Sequence, residues 1–305
     1  MAHVKYGRDP MTPFDYSAPG SLDEVCALLA GAGGRAKVLA GGTDLLIELR
    51  RPGKKSPERI VDISRIDPLR GVELQAGSVR IGPLTTHAEI AESGLIRETA
   101  GLLAAASGAV GSPQVRNRGT IGGNIMNAAT CADTVPPLVA LNARLTLVSS
   151  RGQREVPITD FFIEPYRTVA LQDEVLSLIA FSSPPAGTRG SFTKLGRRNA
   201  VSISRLSVAA LVTRDAAGTI TAASIVPGAA MPVWQRVSEA ESLLLGEKPS
   251  STLFAAAGRK VSEVMIRQTG RRWSTEYKEP VLAVLVRRAL EACCTSRERA
   301  PESAK

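Results

Sequence analysis

Two short segments of the 305-residue chain combine a glycine pair with a threonine and an aspartate or asparagine. They are Ala40-Gly41-Gly42-Thr43-Asp44-Leu45 and Thr120-Ile121-Gly122-Gly123-Asn124. Glycine permits positive φ and lets a ligand approach the backbone, and a turn that opens a helix leaves amide protons facing outward. A pyrophosphate needs many such donors and little steric bulk, so both segments are expected to present bare amides to it. Each pair alone is an ordinary turn. The two lie about eighty residues apart, too far for one local motif, and spacing does not show that they meet. A third cluster, Gly31-Ala-Gly-Gly-Arg-Ala36, fits the dinucleotide pattern G-x-G-x-x-A. It follows a helical pattern and precedes a strand, whereas that pattern needs strand, loop, helix, so it is read as a helix end and turn.

The rarer residues exclude other chemistries. Only His3 and His87 are available, so a site built on several histidines is out of reach, and His87 is read as a surface residue of the capping box Thr86-His-Ala-Glu89. Cys26, Cys131, Cys293 and Cys294 form no C-x-x-C pair and no cysteine–histidine cluster, so neither a zinc site nor a cysteine-held iron–sulfur cluster can be assembled. They read as reduced thiols. Redox chemistry would therefore need a borrowed organic cofactor. The net charge is +9, and residues 256–305 hold eleven Lys or Arg against six Asp or Glu. The basic residues are scattered and aromatics make up only 4%, which fits a solvated face or a dock for an acidic protein better than nucleic acid.

The elements that must position these groups follow the apolar periodicity. A helix starts at Ser21, where Ser21-Leu-Asp-Glu24 is a capping box, and runs to about Ala30. Strand Lys37–Ala40 leads into the first glycine pair, and a helical turn covers Leu45–Leu49. Strands follow at Arg59–Ile63 and Val79–Ile81, a helix at Leu138–Asn142, and strands at Arg144–Ser149 and just after Gly152. Residues 182–190 have linker composition. Beyond them come strands at Ser191–Leu195, Ser207–Thr213 and Ile220–Val226, then two helices, Val237–Leu245 and Glu279–Cys293. The length suits two domains. No apolar run approaches a membrane span and no secretory signal is visible at Met1–Asp9, so the expected location is the cytoplasm.

The stretches "VLAGGTDLL" at 38–46, "RNRGTIGGNIMNAATCADTVPPL" at 116–138 and "FTKLGRRNAVSISRLSVAAL" at 192–211 resemble the FAD-binding (medium) subunits of molybdenum hydroxylases. The likeness continues through "YRTVALQDEVLSLI" at 166–179 and "RRWSTEYKEPVLAVLVRRAL" at 271–290. It implies an α+β protein: an FAD-binding, PCMH-type domain of two α+β subdomains over residues 8–181, a C-terminal α+β domain over 187–292, and a polar tail at 295–305. It also implies that Val38, Leu39, Ala40, Gly41, Gly42, Thr43, Asp44 and Leu45 wrap the FAD pyrophosphate together with Thr120, Ile121, Gly122, Gly123 and Asn124. Asp133 helps hold the FAD, Val110 and Leu176 supply apolar contacts, Lys194 is a basic residue near the flavin, and Phe192 is a further candidate there. Ala129-Thr130-Cys131 departs from the Ser-Pro-Ala of many relatives but leaves Asp133 in register.

The implied partners are a [2Fe–2S] small subunit and a molybdopterin large subunit, arranged as a dimer of heterotrimers, with this chain passing electrons through FAD to an external acceptor. No residue of this chain is expected to be catalytic or to bind metal. Two rivals stay open: a stand-alone flavin oxidoreductase, and a flavin-free scaffold. Asp44 could equally be a plain helix cap, Asp133 could cap the turn before Pro136, and Lys194, Arg197 and Arg198 could form a solvated strand edge. Trp234 and Trp273 read as packing or interface residues.

Overall fold

Ser21 opens the first helix as expected, accepting from the Glu24 amide at 3.3 Å, but the Glu24 carboxylate takes the amide of Gly20 rather than that of Ser21. The helix (α1, Leu22–Ala32) ends where Gly33 turns left-handed at φ 55°. In the computed structural model, which describes residues 13–51, 53, 56–198 and 201–295, α1 covers a parallel three-stranded sheet. Its strands are β1 (Asp15–Ser17), β2 (Ala36–Leu39) and β3 (Arg59–Asp62), in the order β1-β3-β2, and a short helix α2 (Leu45–Leu49) follows β2. Val25, Leu29, Val61 and Ile63 close this small core. His3 and the tail at 296–305 lie outside the described residues.

The second unit is an antiparallel sheet laid against small helices. Strands β4 (Val72–Gln75) and β5 (Ser78–Ile81) precede helices α3 (His87–Glu92), α4 (Gly94–Thr99), α5 (Gly101–Gly108), α6 (Pro113–Arg116), α7 (Ile121–Asn127) and α8 (Val135–Ala140). Then come β6 (Arg144–Ser149), β7 (Gly152–Pro157), the ribbon β8 (Phe162–Glu164) and β9 (Arg167–Thr168), and β10 (Val175–Ser182), giving the order β4-β5-β10-β6-β7. Ile81, Ile90, Leu103, Ile121, Leu138 and Leu145 are buried together here. Trp234, 4% exposed, meets the Phe162 ring edge-on at 4.6 Å and belongs to this packing, while Trp273 stands almost fully exposed.

The linker-like stretch is shorter than its composition suggests, because β10 runs through Ser182 and β11 (Thr188–Leu195) already begins at Thr188. With β12 (Leu206–Arg214) and β13 (Ile220–Gly228), β11 forms an antiparallel sheet whose central strand β12 is buried on both faces over Leu206–Ala210. Leu206, Val208 and Ala210 belong to one core with α10 (Ser251–Thr269) and α11 (Thr275–Cys294), near the short α9 (Ser238–Ser242), while Ala209 joins the core of the second unit. Helix α10 escaped the sequence reading. It contains Gly258, which looks like a breaker, yet a Cβ there would stand 2.3 Å from the Ala283 carbonyl oxygen of α11. The glycine lets two helices touch backbone to backbone, and the apolar face of Phe254, Val261 and Met265 supplies the rest. Among the described residues no helix is long and apolar enough to cross a membrane.

Candidate functional site

The two glycine segments meet. A Cβ on Gly41 would lie 2.1 Å from the carbonyl oxygen of Arg118 and 3.0 Å from the Cα of Gly119, so the turn after β2 lies directly on the chain that enters α7. Gly42 takes φ 76°, a left-handed conformation that side chains resist. In this turn the amides of Gly41, Gly42, Thr43, Asp44 and Leu45 find no acceptor among the described residues; regular bonding resumes with Leu46, whose amide donates to Gly42 at 3.2 Å. A run of unpaired amides beside a left-handed glycine is an anion-binding concavity. Asp44 occupies the cap position of α2 but makes no capping bond, and burial, with Glu48 behind it, raises its carboxyl above the usual range.

The second segment corrects the expectation of bare amides. It is the first turn of α7 rather than a loop, capped by Thr120, whose hydroxyl accepts from Gly123 at 3.1 Å. The amides of Ile121, Gly122 and Asn124 are committed to the carbonyls of Thr85, Pro83 and Thr120. Gly122 is needed for contact: a Cβ would stand 2.5 Å from that of Pro83. Gly123 has only the Thr120 hydroxyl near its Cβ position, at 3.0 Å. The second segment therefore supplies a smooth wall, and the first supplies the donors.

Between them is a cleft of about 500 Å3. Val38, Ala40, Gly41, Gly42, Thr43, Asp44 and Leu45 line it, and so do Val110, Thr120, Gly122, Gly123, Asn124 and Leu176. Leu39, Ile121, Asp133 and Lys194 are absent from its wall. The Ile121 side chain is fully buried in the core. Asp133 and Lys194 hold each other: Lys194 Nζ donates to Asp133 Oδ2 at 2.6 Å and to the carbonyl of Ala109 at 2.8 Å, and the Ser204 hydroxyl donates to Asp133 Oδ1. Burial raises the Asp133 carboxyl, with Lys194 pulling against it. This cluster pins β11 and the β11–β12 connection onto the second unit, next to Val110 in the cleft wall. Neither Asp133 nor Lys194 is left as a cap or a solvated edge, whereas Arg197 is exposed and Arg198 donates to the Val201 carbonyl. Phe192 is half-buried against the second core.

The wall also holds residues that the sequence reading does not assign to it, among them Tyr166 and His87. Tyr166 sits on the rim at φ 61°, 68% exposed; it lies in the resembling stretch at 166–179, from which only Leu176 was drawn. His87 is not a surface residue. Its capping box is complete, but the ring is 2% exposed, lines the cleft and has no partner for the buried Nδ1. Burial, with Arg116 as a smaller cause, lowers the imidazole to about 4, so it is neutral near pH 7. No metal-holding cluster occurs among the described residues.

Residues 12–182 match the family model described as the FAD binding domain in molybdopterin dehydrogenase, and residues 191–293 match the CO dehydrogenase flavoprotein C-terminal domain. The carbon monoxide dehydrogenase medium chain of Hydrogenophaga pseudoflava is 32% identical over 92% of this chain and 96% of its own length. The nicotinate dehydrogenase FAD-subunit of Eubacterium barkeri is 34% identical over 77% of this chain and 81% of its own. A solved structure of the Hydrogenophaga pseudoflava carbon monoxide dehydrogenase superposes with a TM-score of 0.86 at 31% identity, covering 93% of this chain and 99% of that one.

Proposed function

Because the chain belongs to the family of FAD-binding domains of molybdopterin dehydrogenases, we propose that it is the flavoprotein subunit of a molybdenum-containing hydroxylase. The observation that carries this reading is the run of five amides from Gly41 to Leu45 in the cleft that find no acceptor among the described residues. An FAD diphosphate fits those donors: they face a wall kept free of side chains by Gly122 and Gly123, and the half-buried Val38 and Val110 offer apolar surface nearby. Bound FAD would supply the electron chemistry, linking one-electron [2Fe–2S] clusters of a partner subunit to an external acceptor.

The residues of this chain bind, orient and exclude water. Gly41 to Leu45 hold the diphosphate; Thr120, Asn124 and Leu176 shape the slot. Leu39 and Ile121 fix the two segments from behind. The Asp133–Lys194 pair acts at the end of the cleft by clamping the C-terminal unit over it. The partners are the [2Fe–2S] small subunit and the molybdopterin large subunit. Exposed apolar and basic surface of the C-terminal unit is the proposed dock for the small one; Ile203, Trp273 and Tyr277 are exposed there, and the Arg205 guanidinium lies 5.8 Å over the Tyr277 ring. The proposed location is the cytoplasm, where Cys26, Cys131, Cys293 and Cys294 stay reduced.

Purification at native expression levels tests this. The chain is expected to bring down one subunit of about half its size and another more than twice its size, with iron–sulfur absorption in the complex. A stable lone monomer would overturn the reading.

A further inference from the structure

We infer that His87 is a direct ligand of the cofactor's diphosphate, donating one hydrogen bond from its imidazole at the corner where the two glycine segments meet. The inference rests on the FAD reading above and goes beyond it, since His87 lies in neither segment.

The ring is placed by bonds that do not use it. The His87 amide donates to the carbonyl of Gly119 at 3.0 Å, and the reciprocal cap between Thr86 and Glu89 fixes the start of α3. The side chain that emerges is 2% exposed, and neither ring nitrogen has a partner among the described residues. Buried polar groups in native proteins are almost always paired. Nδ1 is closed off by the surrounding protein, so the unpaired Nε2, next to Cδ2 on the Thr43 side of the ring, is the nitrogen left to meet a ligand atom.

The neighbours say which atom. A Cβ on Gly119 would come within 3.2 Å of the His87 Cδ2 and 3.5 Å of the Thr43 hydroxyl. The ring therefore borders the same corner as Thr43, and Thr43 is the middle residue of the five with unpaired amides. Every one of these groups can donate. A neutral imidazole offers one N–H, and an anionic phosphate oxygen is the acceptor that such a corner selects.

The test uses the full chain freed of flavin and titrated with FAD and, separately, with ADP, which carries the diphosphate without the flavin. His87→Phe should raise both dissociation constants about tenfold or more, the scale of one hydrogen bond to a charged group. His87→Gln, which keeps an N–H, should stay within about threefold of wild type. The melting temperature of the flavin-free chain should be no lower in either variant. Wild-type chain that binds no FAD would sink the FAD reading itself. Wild-type binding with His87→Phe equally tight would overturn the His87 assignment alone. So would a loss confined to FAD with ADP unchanged, a loss equal in both variants, or a loss matched by a lower melting temperature.

Discussion

Gly41→Ala should destabilise the chain by about 3 kcal/mol and raise the FAD dissociation constant about a hundredfold. The added methyl would sit 2.1 Å from the carbonyl oxygen of Arg118, and the next nearest atoms are also backbone. No flexible side chain can move aside, so the turn and the entry to α7 must separate. That separation opens the cleft and takes the Gly41–Leu45 amides away from the opposite wall. Gly31→Ala is the control. Nothing lies within 4 Å of its Cβ position, and it sits inside α1, so helix propensity should stabilise the chain by up to about 1 kcal/mol. Urea unfolding of the flavin-free proteins reads the first effect and fluorescence titration the second. Equal stability and affinity for Gly41→Ala and wild type would show that the two segments do not touch.

Acid should expose the buried imidazole. Above about pH 6.5 His87 is neutral in both the folded and the unfolded chain, and its contribution is constant. Between about 6.5 and about 4 the unfolded chain takes up a proton that the folded chain refuses, so stability falls with pH and levels off below that range. The full loss is about 3 kcal/mol. Wild-type chain without flavin should therefore lose about that much more stability between pH 7.5 and pH 4 than His87→Phe does, the other titrating groups cancelling in the comparison. Parallel pH profiles for the two proteins would place the ring in water.

Local signals in the sequence were legible where local chemistry decides the structure. Thr86 and Glu89 announce a reciprocal cap, and α2 spans the Leu45–Leu49 turn read from its apolar spacing. The strand read at Arg144–Ser149 has those bounds. What failed depends on contacts distant in sequence. Gly258 and Gly122 look like breakers, yet they stand inside helices where the Ala283 backbone and Pro83 leave no room for a Cβ. The amides of α7 looked free because nothing in the sequence says that Pro83 and Thr85 will take them. The Asp133–Lys194 pair joins residues 61 positions apart, and the His87 ring packs against Gly119 in the α6–α7 connection. Resemblance carried the cofactor; only the geometry could divide the work between the two segments.

The flavin released per chain by acid precipitation tests the central claim most directly. Wild-type chain incubated with FAD and desalted should release about one FAD per chain into the supernatant, and Gly123→Ala somewhat less. Gly123→Asp, folded by circular dichroism, should release almost none, because a carboxylate beside the diphosphate costs on the order of several kcal/mol in a partly dry site. A colourless wild-type chain would contradict the account, and so would a Gly123→Asp chain that keeps its full flavin.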